Sequence, residues 1–371
     1  SGYVKCGCGE KALRCFEKMQ GQGLSPNIVT FVSVLKACGS TRNARKGIEM
    51  HGEIHRYRLL ETNIFVGSVL VEMYAKCGLL PNARDVFDNL PIRNVVTWTT
   101  LIMGYSDYGL NEEALKSFGQ MQKEGISPDG VTYVCALRIC GKVGAIGRGN
   151  QIHAEIERLG LHKRNFDVGN ALIDMYAKCG LLGRAQQVFD DLQNRNLESW
   201  NTLISGYSTC GENDKAITCF EQMKLEGVSP NSATFISTLK ACSTLASIDK
   251  AQEICAEVEK QKSLETDLFL GSTLIHIYAT SGFLAKASDV FDTLLVRNSV
   301  VWNALIAGYA DSEHGEETVK YYMQMKVEGV QPDPVTFVCI LKSCGNVGAI
   351  GVGQEIHAEV ERQGLLDRDL V

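Results

Sequence analysis

Proline is scarce in this chain, 7 residues in 371. Proline removes a backbone donor and blocks helix interiors, so its scarcity leaves room for long helical content. No run of apolar residues reaches the ~18 that a membrane-spanning helix needs. The chain opens at Ser1, with no initiator methionine and no charged-then-apolar leader behind it. Any signal or transit segment is therefore expected to have been removed or to lie outside the chain. A strong charge of either sign is also missing, with 37 basic against 43 acidic side chains and a formal net charge of -6. That balance argues against a surface that grips phosphates everywhere, while leaving room for a locally basic groove. The 14 cysteines contain no C-x-x-C pair, so the spacing of a structural zinc site is absent and reduced thiols are expected.

What is present is repetition. VVTWTTLIMGYS from Val95, LESWNTLISGYS from Leu197 and SVVWNALIAGYA from Ser299 start 102 residues apart each time. Each unit of 102 divides into modules of 35, 36 and 31 residues. The register gives a partial module at 1–27, then Ile28–Asn63, Ile64–Asn94, Val95–Asp129, Gly130–Asn165, Phe166–Asn196, Leu197–Asn231, Ser232–Asp267, Leu268–Asn298, Ser299–Asp333 and Pro334–Asp369. A chain of this length would be large for one core, so an array of small units is the natural reading.

Inside a module the apolar period is helical. Trp98, Leu101, Ile102 and Tyr105 make one stripe, and Ala114, Leu115, Phe118 and Met121 make a second beyond the break at Tyr108-Gly109. Gly125 and Pro128 then close the second helix. Each module therefore reads as a helical hairpin. One hairpin cannot bury two stripes alone, so neighbours should stack into an all-α, right-handed superhelical solenoid with a concave groove. Gly141, Gly144, Gly147 and Gly149 are expected in its tight turns.

Residues that suggest chemistry resolve in this register. Cys38, Cys140, Cys242 and Cys344 share position 11 of the 36-residue modules, and Cys77 and Cys179 share position 14 of the 31-residue ones. Small, soft, buried helix residues explain that recurrence better than metal does. His51 and His55 stand four apart, but His153 and His357 repeat only the first of them, so packed or hydrogen-bonded histidines are expected. Trp98, Trp200 and Trp302 fall inside the apolar stripe and read as core.

A 35-residue helical hairpin closing in G-[IV]-x-P-[DN] resembles the pentatricopeptide repeat. The 35-, 36- and 31-residue modules look like its P, L and S subclasses. MYAKCG at Met73–Gly78 and Met175–Gly180, VFD at Val86–Asp88, Val188–Asp190 and Val290–Asp292, and HAE at His153–Glu155 and His357–Glu359 belong to that pattern. The resemblance covers nearly the whole chain, and the mixed lengths separate it from the 34-residue tetratricopeptide repeat. It implies a single-stranded RNA-binding protein of plant mitochondria or chloroplasts that specifies cytidine-to-uridine editing sites. Where such proteins carry a deaminase, it lies in a C-terminal extension with H-x-E and C-x-x-C zinc motifs. Neither motif is expected in this chain, which should therefore bind RNA and catalyse nothing. No cofactor, membrane or small-molecule substrate is implied, and a small RNA-editing co-factor protein is an expected partner through the L modules.

Proteins of this class read about one base per repeat. The resemblance places the reading residues at module position 5 and at the last position: Ser68/Asn94, Thr99/Asp129, Asn170/Asn196, Asn201/Asn231, Ser272/Asn298 and Asn303/Asp333. Ionised Asp is acceptor-only and suits the N–H at the centre of a uracil or guanine edge, whereas Asn offers a donor to cytosine or adenine. A mismatch leaves a polar edge unpaired, at a cost of about 1–3 kcal/mol. The resemblance further assigns Ser or Thr at position 5 to purines and Asn to pyrimidines. The expected target is 5′-AGNYYNAU-3′, with the L modules unassigned because Val32, Val134, Ile236 and Val338 cannot hydrogen-bond. Position 2 should pack on bases (Phe65, Val96, Phe269, Val300), although Glu198 and Asp167 depart from that rule. Position 13 should meet phosphates (Lys76, Lys142 and Lys178, with Lys5 in the partial module), but Asp107, Thr209, Thr280 and Asp311 carry no cation there. The competing reading is a protein-binding helical-repeat scaffold, in which the last-position residues are only helix caps.

Overall fold

The computed structural model describes residues 2–244, 248–259 and 266–365, and forms two compact units, Ser1–Arg195 and Asn196–Val371. All regular structure among the described residues is helical. Unit 1 runs α1 (Gly2–Lys5), α2 (Gly9–Gly21), α3 (Ile28–Thr41), α4 (Ala44–Arg56), α5 (Leu59–Thr62), α6 (Ile64–Lys76), α7 (Leu80–Asp88), α8 (Val95–Asp107), α9 (Asn111–Lys123), α10 (Gly130–Val143), α11 (Ile146–Leu159), α12 (Leu161–Arg164), α13 (Phe166–Lys178) and α14 (Leu182–Asp190). Unit 2 continues with α15 (Leu197–Thr209), α16 (Asn213–Leu225), α17 (Ser232–Thr244), α18 (Ile248–Glu259), α19 (Leu268–Thr280), α20 (Leu284–Thr293), α21 (Ser299–Asp311), α22 (Gly315–Val327), α23 (Pro334–Val347) and α24 (Ile350–Arg362). Residues 260–265 of the Ser232–Asp267 module and 366–369 of the last one lie outside the described residues.

Each unit has two layers. In unit 1 the first helices pack on one another in the order α3, α6, α8, α10, α13; in unit 2 the order is α15, α17, α19, α21, α23. The second helices cover them from one side, each lodged against its own first helix and, as with α9 and α22, against the next one. The stripes drive this arrangement. Trp98, Leu101 and Ile102 of α8 and Ala114, Phe118 and Met121 of α9 are almost wholly buried. Trp98 meets Phe87 edge-on at 4.5 Å, and Trp302 repeats that contact with Phe291 at 4.5 Å. Arg93 lies over the Phe87 ring and pairs with Glu124 at 3.2 Å, and Arg297 does the same with Phe291 and Glu328 at 3.3 Å.

Two local features differ from the sequence reading. The 36-residue modules in unit 1 end in single-turn helices, α5 and α12, that no periodicity signalled. Among the glycines expected in turns, Gly144 alone takes a left-handed cap, with φ 66°; Gly141, Gly147 and Gly149 lie inside α10 and α11. Gly141 is needed for close packing instead, because a Cβ there would stand 3.2 Å from the Met175 Cα of α13.

Candidate nucleic-acid interface

A first helix with neighbours before and after it, and a second helix behind it, has one face left. On a 3.6-residue period that face carries module positions 2, 9 and 13. Position 2 is exposed at Phe65 (54%), Val96 (55%), Phe269 (58%) and Val300 (53%), far more than an apolar helix residue with a packing partner would be. Asp167 and Glu198 occupy the same exposed place as carboxylates.

Among the described residues, every last-position residue caps the helix that follows it. The Oδ1 of Asn94 accepts from the Thr97 amide (3.0 Å), Asp129 from Thr132 (2.8 Å), Asn196 from Ser199 (2.9 Å), Asn231 from Thr234 (3.1 Å), Asn298 from Val301 (3.1 Å) and Asp333 from Thr336 (3.0 Å). The L-module ends Asn63 and Asn165 cap in the same way. Capping is therefore general to the array and does not single out reading modules. It does fix orientation. The capped group is an N–H, so the atom facing it must be oxygen, and the second polar atom points away from the helix: Nδ2 in Asn, Oδ2 in Asp. A cap and a base-facing group can thus be the same side chain.

Position 5 is set deeper. Ser68, Thr99, Asn170 and Ser272 are only 6–8% exposed, while Asn201 and Asn303 are half-buried. In unit 2 both asparagines join their last-position partners. Asn201 Nδ2 donates to Asn231 Oδ1 at 3.1 Å, and Asn303 Nδ2 donates to both Asp333 oxygens at 2.9 and 2.8 Å. The serines turn inward: Ser68 Oγ donates to the Ile64 carbonyl (2.9 Å) and Ser272 Oγ to that of Phe269 (3.0 Å). Thr99 donates to the Val95 carbonyl at 2.8 Å. Asn170, in unit 1, has neither amide atom in a hydrogen bond, and a buried amide in that state costs roughly 1–3 kcal/mol for each unmet group.

A third participant went unread in the sequence. The threonine at position 3 of the following L module touches each P-module position 5: Thr132 Oγ1 lies 2.6 Å from Thr99 Oγ1, Thr234 Oγ1 donates to Asn201 Oδ1 at 2.5 Å, and Thr336 Oγ1 donates to Asn303 Oδ1 at 2.6 Å. These threonines recur every 102 residues, a signal the repeat alignment already held.

The expected phosphate contacts differ among themselves. Lys142 is exposed on the open face. Lys76 and Lys178 are each bound at 2.7 Å to a carboxylate one turn back, Glu72 and Asp174. Exposed pairs of this kind hold little energy, so both ammoniums remain exchangeable towards a phosphate.

The recurrent cysteines of the L modules and the histidines His51 and His153 are packed among the helices. Cys38, Cys140 and Cys242 are fully buried free thiols, and burial pushes them up to about 12, 11 and 11. His51-Gly-Glu53 and His153-Ala-Glu155 match the H-x-E triplet, contrary to the expectation that no such motif is present. Their histidines, however, bond from Nδ1 to Tyr74 and Tyr176 at 2.8 Å each, and burial lowers both below the usual imidazole value.

The model of the PPR repeat family matches residues 1–40, 93–142, 195–244 and 297–346, and a second PPR repeat model matches 170–197. A chloroplastic pentatricopeptide repeat-containing protein of Arabidopsis thaliana is 38% identical over 94% of this chain and 56% of its own. A mitochondrial one from the same plant is 33% identical over 96% of this chain and 34% of its own. The chain spans roughly a third to three fifths of the length of the relatives it matches. Among solved structures, the pentatricopeptide repeat protein PPR10 in complex with an 18-nt psaJ RNA element shares the fold, with a TM-score of 0.61 and 20% identity over 97% of this chain and 59% of that one.

Proposed function

The chain belongs to the PPR repeat family, and from that premise we propose that it binds single-stranded RNA sequence-specifically, one base for each P or S module. PPR10 was solved on an RNA element, which supports the class of ligand. The observation that carries the sequence-specific part is the joined pair at Asn303 and Asp333. Asp333 Oδ1 caps α23 while Oδ2 accepts from the Asn303 amide, and Val300, at position 2 of the same helix as Asn303, is exposed. Such a triplet offers one apolar surface for a base face and one acceptor for its edge. Asn231 carries Nδ2 where Asp333 carries Oδ2, which turns an acceptor into a donor, although its module has Glu198 in place of Val300.

On this reading the six pairs select 5′-AGNYYNAU-3′, and the bound site directs cytidine-to-uridine editing in a mitochondrion or chloroplast. The editing chemistry is supplied from beyond these residues, and a protein co-factor docks on the L modules. The relatives' organellar names support the location. The test is binding of this RNA against one with its A, G and U positions permuted. Equal affinities would remove the assignment. The sharper form is Asn231→Asp, which should move preference at its nucleotide from cytidine to uridine.

A further inference from the structure

Position 9 of the L modules is basic in every copy: Lys36, Arg138, Lys240 and Lys342. P modules carry Met103, Ser205 and Ala307 there, and S modules carry Glu72, Asp174 and His276. The cation is thus tied to one module type at a spacing of 102 residues, although the chain as a whole is acidic. All four side chains are exposed on the open face of their first helices.

Their surroundings repeat as well. In unit 1 the Lys36 ammonium sits 5.8 Å from the centroid of the Phe65 ring, which is position 2 of the next S module. In unit 2 Lys240 sits 5.5 Å from the ring of Phe269, the equivalent residue. Two copies of one arrangement, in separately folded units, place a cation beside each aromatic side chain that the RNA reading assigns to a base. In unit 1 this arrangement opens onto a cleft of about 530 Å³, whose lining includes Lys5, Lys36, Lys76, Phe65 and the single carboxylate Glu72. Three ammoniums against one carboxylate make it a cationic recess. Lys342 is held at 2.8 Å by Asp311.

We propose that Lys36, Arg138 and Lys240 are phosphodiester-binding residues, one for each P-L-S triplet, with Lys342 damped by its own carboxylate. This rests on the single-stranded RNA reading and gives the L modules a share in it that needs no base recognition. A base against Phe65 or Phe269 leaves its sugar-phosphate link within reach of the neighbouring ammonium. Binding through such contacts releases counterions whatever the base sequence.

The test is the salt dependence of binding to short single-stranded RNA. A triple variant Lys36→Met, Arg138→Met, Lys240→Met keeps apolar stems on the face and removes the charges. Each lost contact should flatten the slope of log affinity against log salt by about 0.7, so the triple variant should flatten it by about 2. The loss should be the same on matched and permuted RNAs. A control triple on second helices, Lys11→Met, Lys123→Met, Lys320→Met, should leave the slope unchanged, and the swap Lys36→Arg, Lys240→Arg should retain it. A wild-type chain that binds RNA alongside a Met variant of unaltered slope, or a control that flattens it equally, overturns the proposal alone. A wild-type chain with no RNA affinity overturns the RNA reading and this row with it.

Discussion

Two adjacent modules of unit 2, Leu268–Asn298 and Ser299–Asp333, put the same positions to different use. In the second, Asn303 reaches across to Asp333 and is held from behind by Thr336. In the first, Ser272 turns back to the carbonyl of Phe269 in its own helix, while Asn298 caps α21. The cause is length. A serine hydroxyl inside a helix finds the carbonyl three or four residues back before anything else. An asparagine amide extends past that carbonyl and needs partners of its own. The Asn303–Asp333 pair is consequently part of a pre-oriented unit of three side chains, whereas Ser272 and Asn298 are held independently.

The largest effect should come from removing the last-position residue in each. Asn298→Ala loses a cap, at about 1 kcal/mol. Asp333→Ala loses a cap and leaves the Asn303 amide N–H without an acceptor, so about 2 kcal/mol or more is expected. Chemical denaturation of both variants measures the difference, and equal losses would mean that the three-membered unit adds nothing.

Next comes the exchange of one arrangement for the other. Asn303→Ser should collapse onto its own helix as Ser272 does, releasing Asp333 from its neighbour. Stability should fall by about 1 kcal/mol, against a few tenths for Ser272→Ala. Preference at that nucleotide should move from pyrimidine to purine, on the order of tenfold for each 1.4 kcal/mol of discrimination. Competition binding with single-base RNA variants reads it.

The smallest effect separates the L modules. His51 and His153 bond to Tyr74 and Tyr176, but at the equivalent place in the Ser232–Asp267 module of unit 2 stands Cys255, and Tyr278 donates to Glu259 instead. Burial lowers the folded values of both histidines below 6.5. The unfolded chain therefore takes up protons first, and stability falls as pH drops below about 6.5 until the folded histidines also protonate. Denaturation midpoints across that range should slope less for the double variant His51→Gln, His153→Gln.

Much of this architecture was readable beforehand because it is periodic. A 102-residue repeat, a 3.6-residue stripe and Gly-x-Pro closures specify hairpins through local rules, and Trp98, Phe118 and Cys38 went where those rules sent them. The short helices α5 and α12 escaped, since single turns carry no period. So did the placement of Gly141, which depends on how closely α13 approaches α10. The side chains at position 5 were chosen by motif alone, and nothing in the motif says that Ser68 and Ser272 turn inward while Asn303 reaches out.

Sequence alone determined the hairpins, their register, and which residue types recur at each position, because these follow from spacing along one chain. Only the tertiary structure decided that Thr336 backs Asn303, that Lys36 lies by Phe65, and that Asp333 caps α23 with one oxygen while taking the Asn303 amide with both. Those relations join residues from different helices, and the distance between helices is set by packing.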